Sequence, residues 1–589
     1  MPDLFAPVQF MPGLNVVLAE IRLPENKLKD THNLGKTTLG RLIDFCLLSK
    51  REKSFFLFKH LDLFGDFIFL LEVELLDGSF VTVRRGVKEA TRISLKRHDQ
   101  PHRDYSDLPD VSWDHSAVPF ENAKKLLDGI LDLRDLSPWP YRKIVGYLVR
   151  TQEDFRDVFR LRKFAGRHAD WKPFLAQLLG FDASGIIEHY EKEAELAQKE
   201  SEEDIIKKEL GGSVEDVSRI EGMLLLKQND AAKKQRLLDA FDFRQIDKDK
   251  MKIVVDDLDT RIALLNAERY ALSLNKKKVL ASIADDEVLF DPQKASDLFE
   301  DAGVLFSGQI KKDFEQLLAF NRAITEERRA YLKEELEEIR TGLKHVNTQL
   351  NRLSIRRSEA LSFLSGSDTF TKYKRVSDDL VALKAEIVDL NRQRGYLQRL
   401  QELRTRIRSL RDEKVQLQSE IEANVEQQNT DRASLFSQVR VLFNEIVEEV
   451  IDRKALLSVS TNQQGHLEFK AEILDDSGSA TSADLGYTYR KLLCIAFDTA
   501  LVLGHRDGHF PRFVFHDGVF ESLDDRKKEN LLDVIRSNAD LGIQHIITLI
   551  DSDLPDRLSD AEPVFDESEI VLRLHDEDDS GRLFKMGAW

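Results

Sequence analysis

Cysteine is nearly absent from this chain, with only Cys46 and Cys494 among 589 residues. That excludes a disulfide scaffold, and the apolar helical settings of both residues point to buried thiols in a reducing compartment. Proline and glycine are scarce as well, at 14 and 28, which disfavours a fold of many turns and favours long helices. No run approaches the roughly 18 apolar residues of a membrane span, and no secretory leader opens the chain. A cytoplasmic protein with no membrane contact is expected. Histidine and cysteine do not cluster at metal-ligand spacing, so the chain shows no metal-dependent nuclease constellation. Any cutting activity is expected in a partner chain.

Charge, by contrast, is plentiful. Charged residues make up 33% of the chain, against roughly 25% in ordinary globular domains. The net charge of −18 argues against coating nucleic acid through overall charge, while leaving local basic surfaces open. The length allows several domains and a large core. The first ten residues run almost directly into an apolar strand. That leaves little room for an earlier edge strand, and the start is expected to be slightly short.

Residues 30–38 read DTHNLGKTT, nearly a phosphate-binding P-loop. Such a loop needs a lysine for the β- and γ-phosphates, a neighbouring hydroxyl for Mg²⁺, and backbone N–H groups that close round the anion. Gly35, Lys36 and Thr37 supply the last three positions, and Asn33, Leu34 and Thr38 complete the expected cradle. Asp30 stands where the first glycine of the pattern belongs. Leu14–Leu18 reads as the preceding strand, and Leu39–Leu48 as an apolar-periodic helix whose N-terminus would face the anion. An ordinary turn-to-helix junction is the alternative reading of the same residues.

The middle third changes character. Leu332, Leu336, Ile339, Leu343, Val346, Leu350 and Leu353 follow a 4-3-4-3-4-3 spacing, a heptad seam. Val376, Leu380, Leu383, Ile387, Leu390 and Leu397 resume it, with Arg394 at one core position, and Leu403, Ile407, Leu410, Leu417 and Ile421 continue in a shifted register. Leu258, Ile262, Leu265, Leu272 and Val279 carry the same pattern upstream, after a charged helical stretch from 186 to 240. One helix cannot bury such a seam alone, so the tracts are expected to pair antiparallel. A turn is expected near 284–308, and an elbow where 364–372 opposes 241–247. A fully helical arm of about 100 residues would span roughly 150 Å. A compact bundle of the same segments is the alternative.

Beyond the seam, Leu456–Ser460 and Leu467–Ile473 read as strands. Phe513–Phe515 and Ile543–Ile550 read as buried parallel strands, with helices at 488–503 and 525–537. Strand and helix alternation on both sides of the insertion predicts one α/β domain cut in two. In PRFVFHDGVFESLD, residues 511–524, an apolar strand ends in Asp517, placed to hold a Mg²⁺ water shell, and Asp524 follows seven residues later. Gln152, in LVRTQEDF, follows a further strand; alone it would be surface filler. Arg392, Arg394, Arg399, Arg404, Arg406, Arg408 and Arg411 fall within 20 residues. They form either a phosphate-contacting stripe or the ordinary charged flank of a coiled coil.

The order of these motifs resembles that of SMC-like ABC ATPases, chromosome-organising and break-repair proteins, over essentially the whole chain. DTHNLGKTTLGRLIDFCLL and FVFHDGVFESLDDRKKENLL are similar to a bacterial branch belonging to three-component, Lamassu-type systems of defence against phages and plasmids. The resemblance implies an ABC-type P-loop ATPase head split by a long antiparallel coiled-coil insertion. Residues 1–180 and 441–589 would be its two halves and 181–440 the arm. It implies ATP and Mg²⁺ as cofactors, with Thr37, Gln152 and Asp517 around the metal. It implies Asp524 as the D-loop acid, and Gly486 and Thr488, with Ser482 the weaker choice, as the signature that closes on ATP from a second head. The implied partners are a second copy joined through ATP-bound heads, separate effector and small accessory subunits, and DNA, as ends or duplex. DNA repair or chromosome organisation, or an ATP-locked scaffold that does not hydrolyse, are the alternatives.

Three departures from the family pattern bear on turnover. The Glu that polarises the attacking water is replaced by Gly518, and Glu521 is the nearest substitute, unless it is a solvated loop carboxylate. The LSGGQ-like signature is altered to SADLGYTYRK, residues 482–491, where Arg490 and Lys491 either supply positive charge or, as basic residues at a helix start usually do, face solvent. No switch histidine ends the strand Ile543–Ile550; Asp551 and Ser552 stand there, and His545, within the strand, is read as a packing residue. Nucleotide binding survives these changes, and slow hydrolysis is expected.

Overall fold

The computed structural model describes residues 4–26, 34–161, 166–210, 217–240, 248–284, 308–362, 368–481, 486–555 and 563–587. Its strands are β1 (Leu14–Glu20), β2 (Ile68–Glu74), β3 (Phe80–Gly86), β4 (Arg92–His98), β5 (His115–Pro119), β6 (Val149–Arg150), β7 (Ala455–Thr461), β8 (Leu467–Ile473), β9 (Phe513–Asp517), β10 (Gln544–Ile550) and β11 (Ile570–His575). The chain divides into two compact units, one formed by residues 1–193 with 412–589 and the other by 194–411.

The first unit is built on a five-stranded parallel sheet in the order β11-β1-β10-β9-β6. Strands from the start of the chain, β1 and β6, stand in it among strands from the end. β1 and β10 are buried along nearly their whole length, the pattern of strands covered on both faces. The edge beside β1, for which the N-terminal residues left little room, is taken by β11.

The helix after the candidate loop runs Lys36–Cys46, three residues earlier than the apolar pattern suggested. It cannot reach Leu48, whose φ of 63° is left-handed. The later helices are Tyr487–Gly504 and Asp525–Asp540. A four-stranded antiparallel sheet, β2-β3-β4-β5, was not foreseen. Buried Arg85 on β3 fixes it to the Lys36–Cys46 helix, donating to the carbonyls of Phe45 at 2.6 Å, Ser49 at 2.9 Å and Ala90 at 3.1 Å. A cation is well placed at carbonyls that a helix C-terminus leaves unpaired.

The second unit is helical. The helix Lys248–Ala284 packs on Gly308–Ser362. Val279 clusters with Leu336 and Ile339, and Ile262 with Val346 and Leu350. One sequence rises as the other falls, so the pair is antiparallel. The helices Ala183–Leu210 and Val217–Asp239 contribute Ile206, Ile220 and Leu224 to a cluster with Leu390, Leu397, Leu400 and Leu403 of Asp368–Thr430. Buried Arg357 joins Asp259, Ser377 and Asp378 in one polar network. Of the turn expected near 284–308, residues 285–307 lie outside the described residues, as do 241–247 and 364–367 of the expected elbow. Asp368–Lys372, read as part of that break, is helical.

Gly40 lets the Lys36–Cys46 helix close on β9, since a Cβ there would lie 2.5 Å from the Phe515 ring. Gly40→Ala is expected to destabilise the chain by about 1–3 kcal/mol in denaturant unfolding, the usual cost of overpacking. Gly129 has nothing within 4 Å of an added methyl, and Gly129→Ala is expected to be neutral or to stabilise by up to about 1 kcal/mol. Equal unfolding midpoints for the two variants would remove this account of the contact.

Candidate functional site

The site is assembled at the C-terminal ends of β1, β9 and β10. Gly35 caps the Lys36–Cys46 helix with a φ of 108°, a left-handed conformation that glycine adopts without cost. A Cβ on it would meet the Leu583 side chain at 2.5 Å, and Leu583 N donates to Leu34 O at 2.9 Å. The C-terminal segment therefore buttresses the loop. Leu34 is buried in the core, and Thr38 is half-buried in the first helical turn. Asn33 and Asp30 lie outside the described residues.

Lys36 is 8% exposed, and its Nζ has no hydrogen-bond partner among the described residues. Burial pulls its pKa down, while Asp517, Glu521, Asp553 and Asp551 pull the other way. An ammonium left buried and unbonded costs several kcal/mol, so a position like this suits an incoming anion.

Asp517, at the end of β9, is fully buried and has a hydroxyl on each oxygen. Thr37 Oγ1 donates to Oδ2 at 2.6 Å, and Thr548 Oγ1 to Oδ1 at 2.5 Å. The second contact follows from register, since Thr548 of β10 lies opposite Asp517. The adjacent Thr37 hydroxyl and Asp517 carboxylate form an oxygen-only donor pair that fits a small hard cation such as Mg²⁺.

Gln152 opens a short 3-10 helix, Gln152–Arg156, capped reciprocally by Thr151 and Asp154. Its Nε2 donates to Glu521 Oε1 at 2.6 Å. The loop below it is anchored by Arg150, which is fully buried and bidentate on Asp498 of the Tyr487–Gly504 helix at 2.5 and 2.9 Å. Arg150 also donates to the carbonyls of Asp154, Asp157 and Val158. Burial opposes its charge, but Asp498 outweighs burial and raises its pKa.

Gly518 follows Asp517 with a φ of 68°. A Cβ on it would lie 2.6 Å from Glu521 Oε1 and 3.0 Å from Gln152 Nε2. The Glu521 carboxylate thus fills the space that a side chain at 518 would enter. Lys491, 1% exposed, donates to Gly518 O at 2.7 Å and lies 3.3 Å from Glu521 Oε2. It does not face solvent.

Lys36, Thr37, Gln152, Asp517 and Glu521 are therefore brought together. Other expected residues do not join them. Asp524 caps the Asp525–Asp540 helix through Lys527 N at 3.1 Å and pairs with Lys527 Nζ at 2.6 Å. Gly486 is the N-cap of Tyr487–Gly504 and Thr488 lies in its first turn. Neither shares a hydrogen bond with the assembled group among the described residues, and Ser482 lies outside them. His545 is fully buried with both ring nitrogens unpartnered among the described residues; burial, with His516 beside it, pushes its pKa down to about 3.

Among the described residues, five of the seven clustered arginines are ion-paired: Arg392 to Asp389, Arg394 to Glu221, Arg404 to Glu203, Arg406 to Glu195 and Arg411 to Glu200. Four of those acids lie on other helices, which favours the coiled-coil-flank reading of the stripe. No described helix is long and apolar enough to cross a membrane.

Thr548 was missed as a site residue, and Lys491 was weighed only as added charge at a helix start. Each is a polar residue within a buried run, Lys491 before Leu492-Leu493 and Thr548 between Ile547 and Leu549. Lys491 and Asp498 are also seven residues apart, on one helical face.

The profile of a bacterial family described as an uncharacterised protein conserved in bacteria (DUF2326) matches residues 446–588. No curated protein matches the chain. Among solved structures, an Smc head domain with a coiled coil and joint from Pyrococcus yayanosii is 14% identical, covering 92% of this chain and 88% of that one, with a TM-score of 0.34. An Smc head with an extended coiled coil, bound to the C-terminal domain of ScpA, from Pyrococcus furiosus is 12% identical over 92% and 85%, also with a TM-score of 0.34. An SMC head domain from Thermotoga maritima is 14% identical over 26% and 47%, with a TM-score of 0.16. All three are SMC head domains. At these TM-scores the chemistry rests on the site's own residues.

Proposed function

We propose that this chain is an SMC-like ABC ATPase that binds ATP between two heads and hydrolyses it slowly. Residues 1–180 and 441–589 form the head in this reading, and 181–440 an arm that couples sensing of DNA or of an invader to a partner effector. The observation that carries the nucleotide site is the buried Lys36 ammonium, without a hydrogen bond among the described residues, beside the Thr37–Asp517 pair. An anion with a hard cation satisfies both features together, and a phosphate–Mg²⁺ unit is that combination.

Lys36 neutralises the β- and γ-phosphates. Thr37 and Asp517, with Gln152, would hold a Mg²⁺, which would supply charge neutralisation at the phosphates. Glu521 takes the proton of the attacking water, because its carboxylate occupies the position next to Asp517 that Gly518 leaves vacant. Asp524, Gly486 and Thr488 act across the interface in a second copy. Defence with separate effector and small accessory subunits, in the cytoplasm, is the biological setting favoured by the P-loop variant. A non-hydrolysing scaffold is the second reading, favoured by Gly518 in the place of the expected general base.

Lys36→Ala is expected to abolish ATP binding in equilibrium titration, together with biological activity. Unchanged affinity would sink the nucleotide-site assignment. Glu521→Gln is expected to retain ATP, to accumulate as a nucleotide-bound dimer in light scattering, and to lose on the order of 10²–10⁴ in turnover, the usual contribution of a positioned base. Turnover at the parental rate would reduce Glu521 to a loop residue. Background phosphate release by the parent chain, with and without DNA ends, would favour the scaffold.

A further inference from the structure

Lys491 lies one turn into the helix Tyr487–Gly504, at a position where a packing residue would be apolar. Its ammonium grips both ends of one loop. It donates to Gly518 O at 2.7 Å, reaches Glu521 O at 3.5 Å and stands 3.3 Å from Glu521 Oε2. The other carboxylate oxygen, Oε1, is held by Gln152 at 2.6 Å. The Phe155 and Tyr487 rings flank the ammonium at 5.7 and 5.4 Å.

The loop needs such a hold. It is bounded by two left-handed residues, Gly518 at 68° and Ser522 at 67°, and the serine adopts that conformation against the preference of residues with a Cβ. Burying a lysine is costly unless the charge is paired. Burial does lower the Lys491 pKa, and Glu521 is the first of the groups that oppose it. Simple packing would not require a cation here. A cation that fixes a carboxylate over the place of the missing side chain accounts for its presence.

We propose that Lys491 is a positioning residue that seats the Glu521 carboxylate in the space left open by Gly518. The active carboxylate is thereby supplied three residues further along the loop than the family pattern places it. This inference rests on the ATPase reading and on Glu521 as base. It also implies that the glycine is required, so that a side chain at 518 displaces the carboxylate rather than restoring activity.

The test uses the full chain, with ATP affinity from equilibrium titration and kcat from phosphate release. Lys491→Met is expected to lower kcat by about 10- to 100-fold, less than the loss of the base itself, while changing ATP affinity less than about threefold. Lys491→Arg is expected to recover part of that loss. In a Glu521→Gln background, Lys491→Met is expected to cost nothing more, since groups acting as a unit are not additive. Gly518→Ala is expected to reproduce the kcat loss with ATP affinity kept, and it carries the test with Lys491→Arg if Lys491→Met fails to fold.

A parental kcat in Lys491→Met or in Gly518→Ala overturns the proposal. So does an equal loss from Lys491→Met with and without Glu521. A fall in affinity that accounts for the whole effect overturns it as well. If Glu521→Gln is slow and Lys491→Met is not, this proposal alone fails. If Glu521→Gln turns over at the parental rate, the base assignment fails instead, and no turnover by the parent overturns both.

Discussion

The Asp517 carboxylate holds the two ends of the chain in one site. Thr37, from the start, and Thr548, near the end, each donate a hydroxyl to one of its oxygens. Neither contact exists unless β10 lies beside β9 in the observed register and the Lys36–Cys46 helix lies against β9. Sheet pairing, the close approach at Gly40 and the placement of the Lys36 ammonium therefore depend on one another. A shift of one residue in β10 would replace Thr548 with an aliphatic neighbour, because successive side chains along a strand point to opposite faces. Asp517 would then keep only one hydroxyl in a buried setting.

Three buried cations surround this centre, and their different states are informative. Arg150 has a bidentate carboxylate and three carbonyls. Lys491 has a carbonyl and a carboxylate. Lys36 has acids near it but no hydrogen bond among the described residues. A buried charge is tolerated when it is paired and bonded and is expensive otherwise. Arg150 and Lys491 thus belong to the bonded framework, while Lys36 has no such bond among the described residues. Arg150 also ties the loop carrying Gln152 to the helix carrying Lys491, so both groups that touch Glu521 are referenced to one rigid support.

Much of this was legible in the sequence, for identifiable reasons. Gly35-Lys36-Thr37 and the acid ending FVFHD are local patterns whose chemistry needs fixed neighbours. The heptad positions declare a seam because apolar residues at that spacing must find a partner helix. Glu521 was legible as the nearest carboxylate to Gly518, but the left-handed Gly518 and Ser522 that bring it beside position 518 are seen only in three dimensions. Lys491 was misread because a lysine near a helix start usually reaches water, and only the burial of its surroundings shows otherwise. The β2–β5 sheet did carry a signal, Asp77-Gly78 between two strand-forming runs with Gly78 at a φ of 80°, the kind of pair that marks a hairpin. Its strands are partly exposed, so they lack the continuous apolar runs that mark β9 and β10.

The position of β1 has a consequence for the order in which the molecule is made. Both of its neighbours, β10 and β11, come from the last stretch of the sequence, beginning at Gln544 and Ile570. Until they emerge, β1 has nothing to pair with and exposes both edges. At roughly 5–20 residues per second of synthesis, the wait is on the order of half a minute to two minutes. An apolar strand left open for that long is a template for wrong partners. The long helices formed in the interval bury their own seams, so the growing chain accumulates finished structure around an unfinished sheet. Only once β11 has been made can the chain close that sheet.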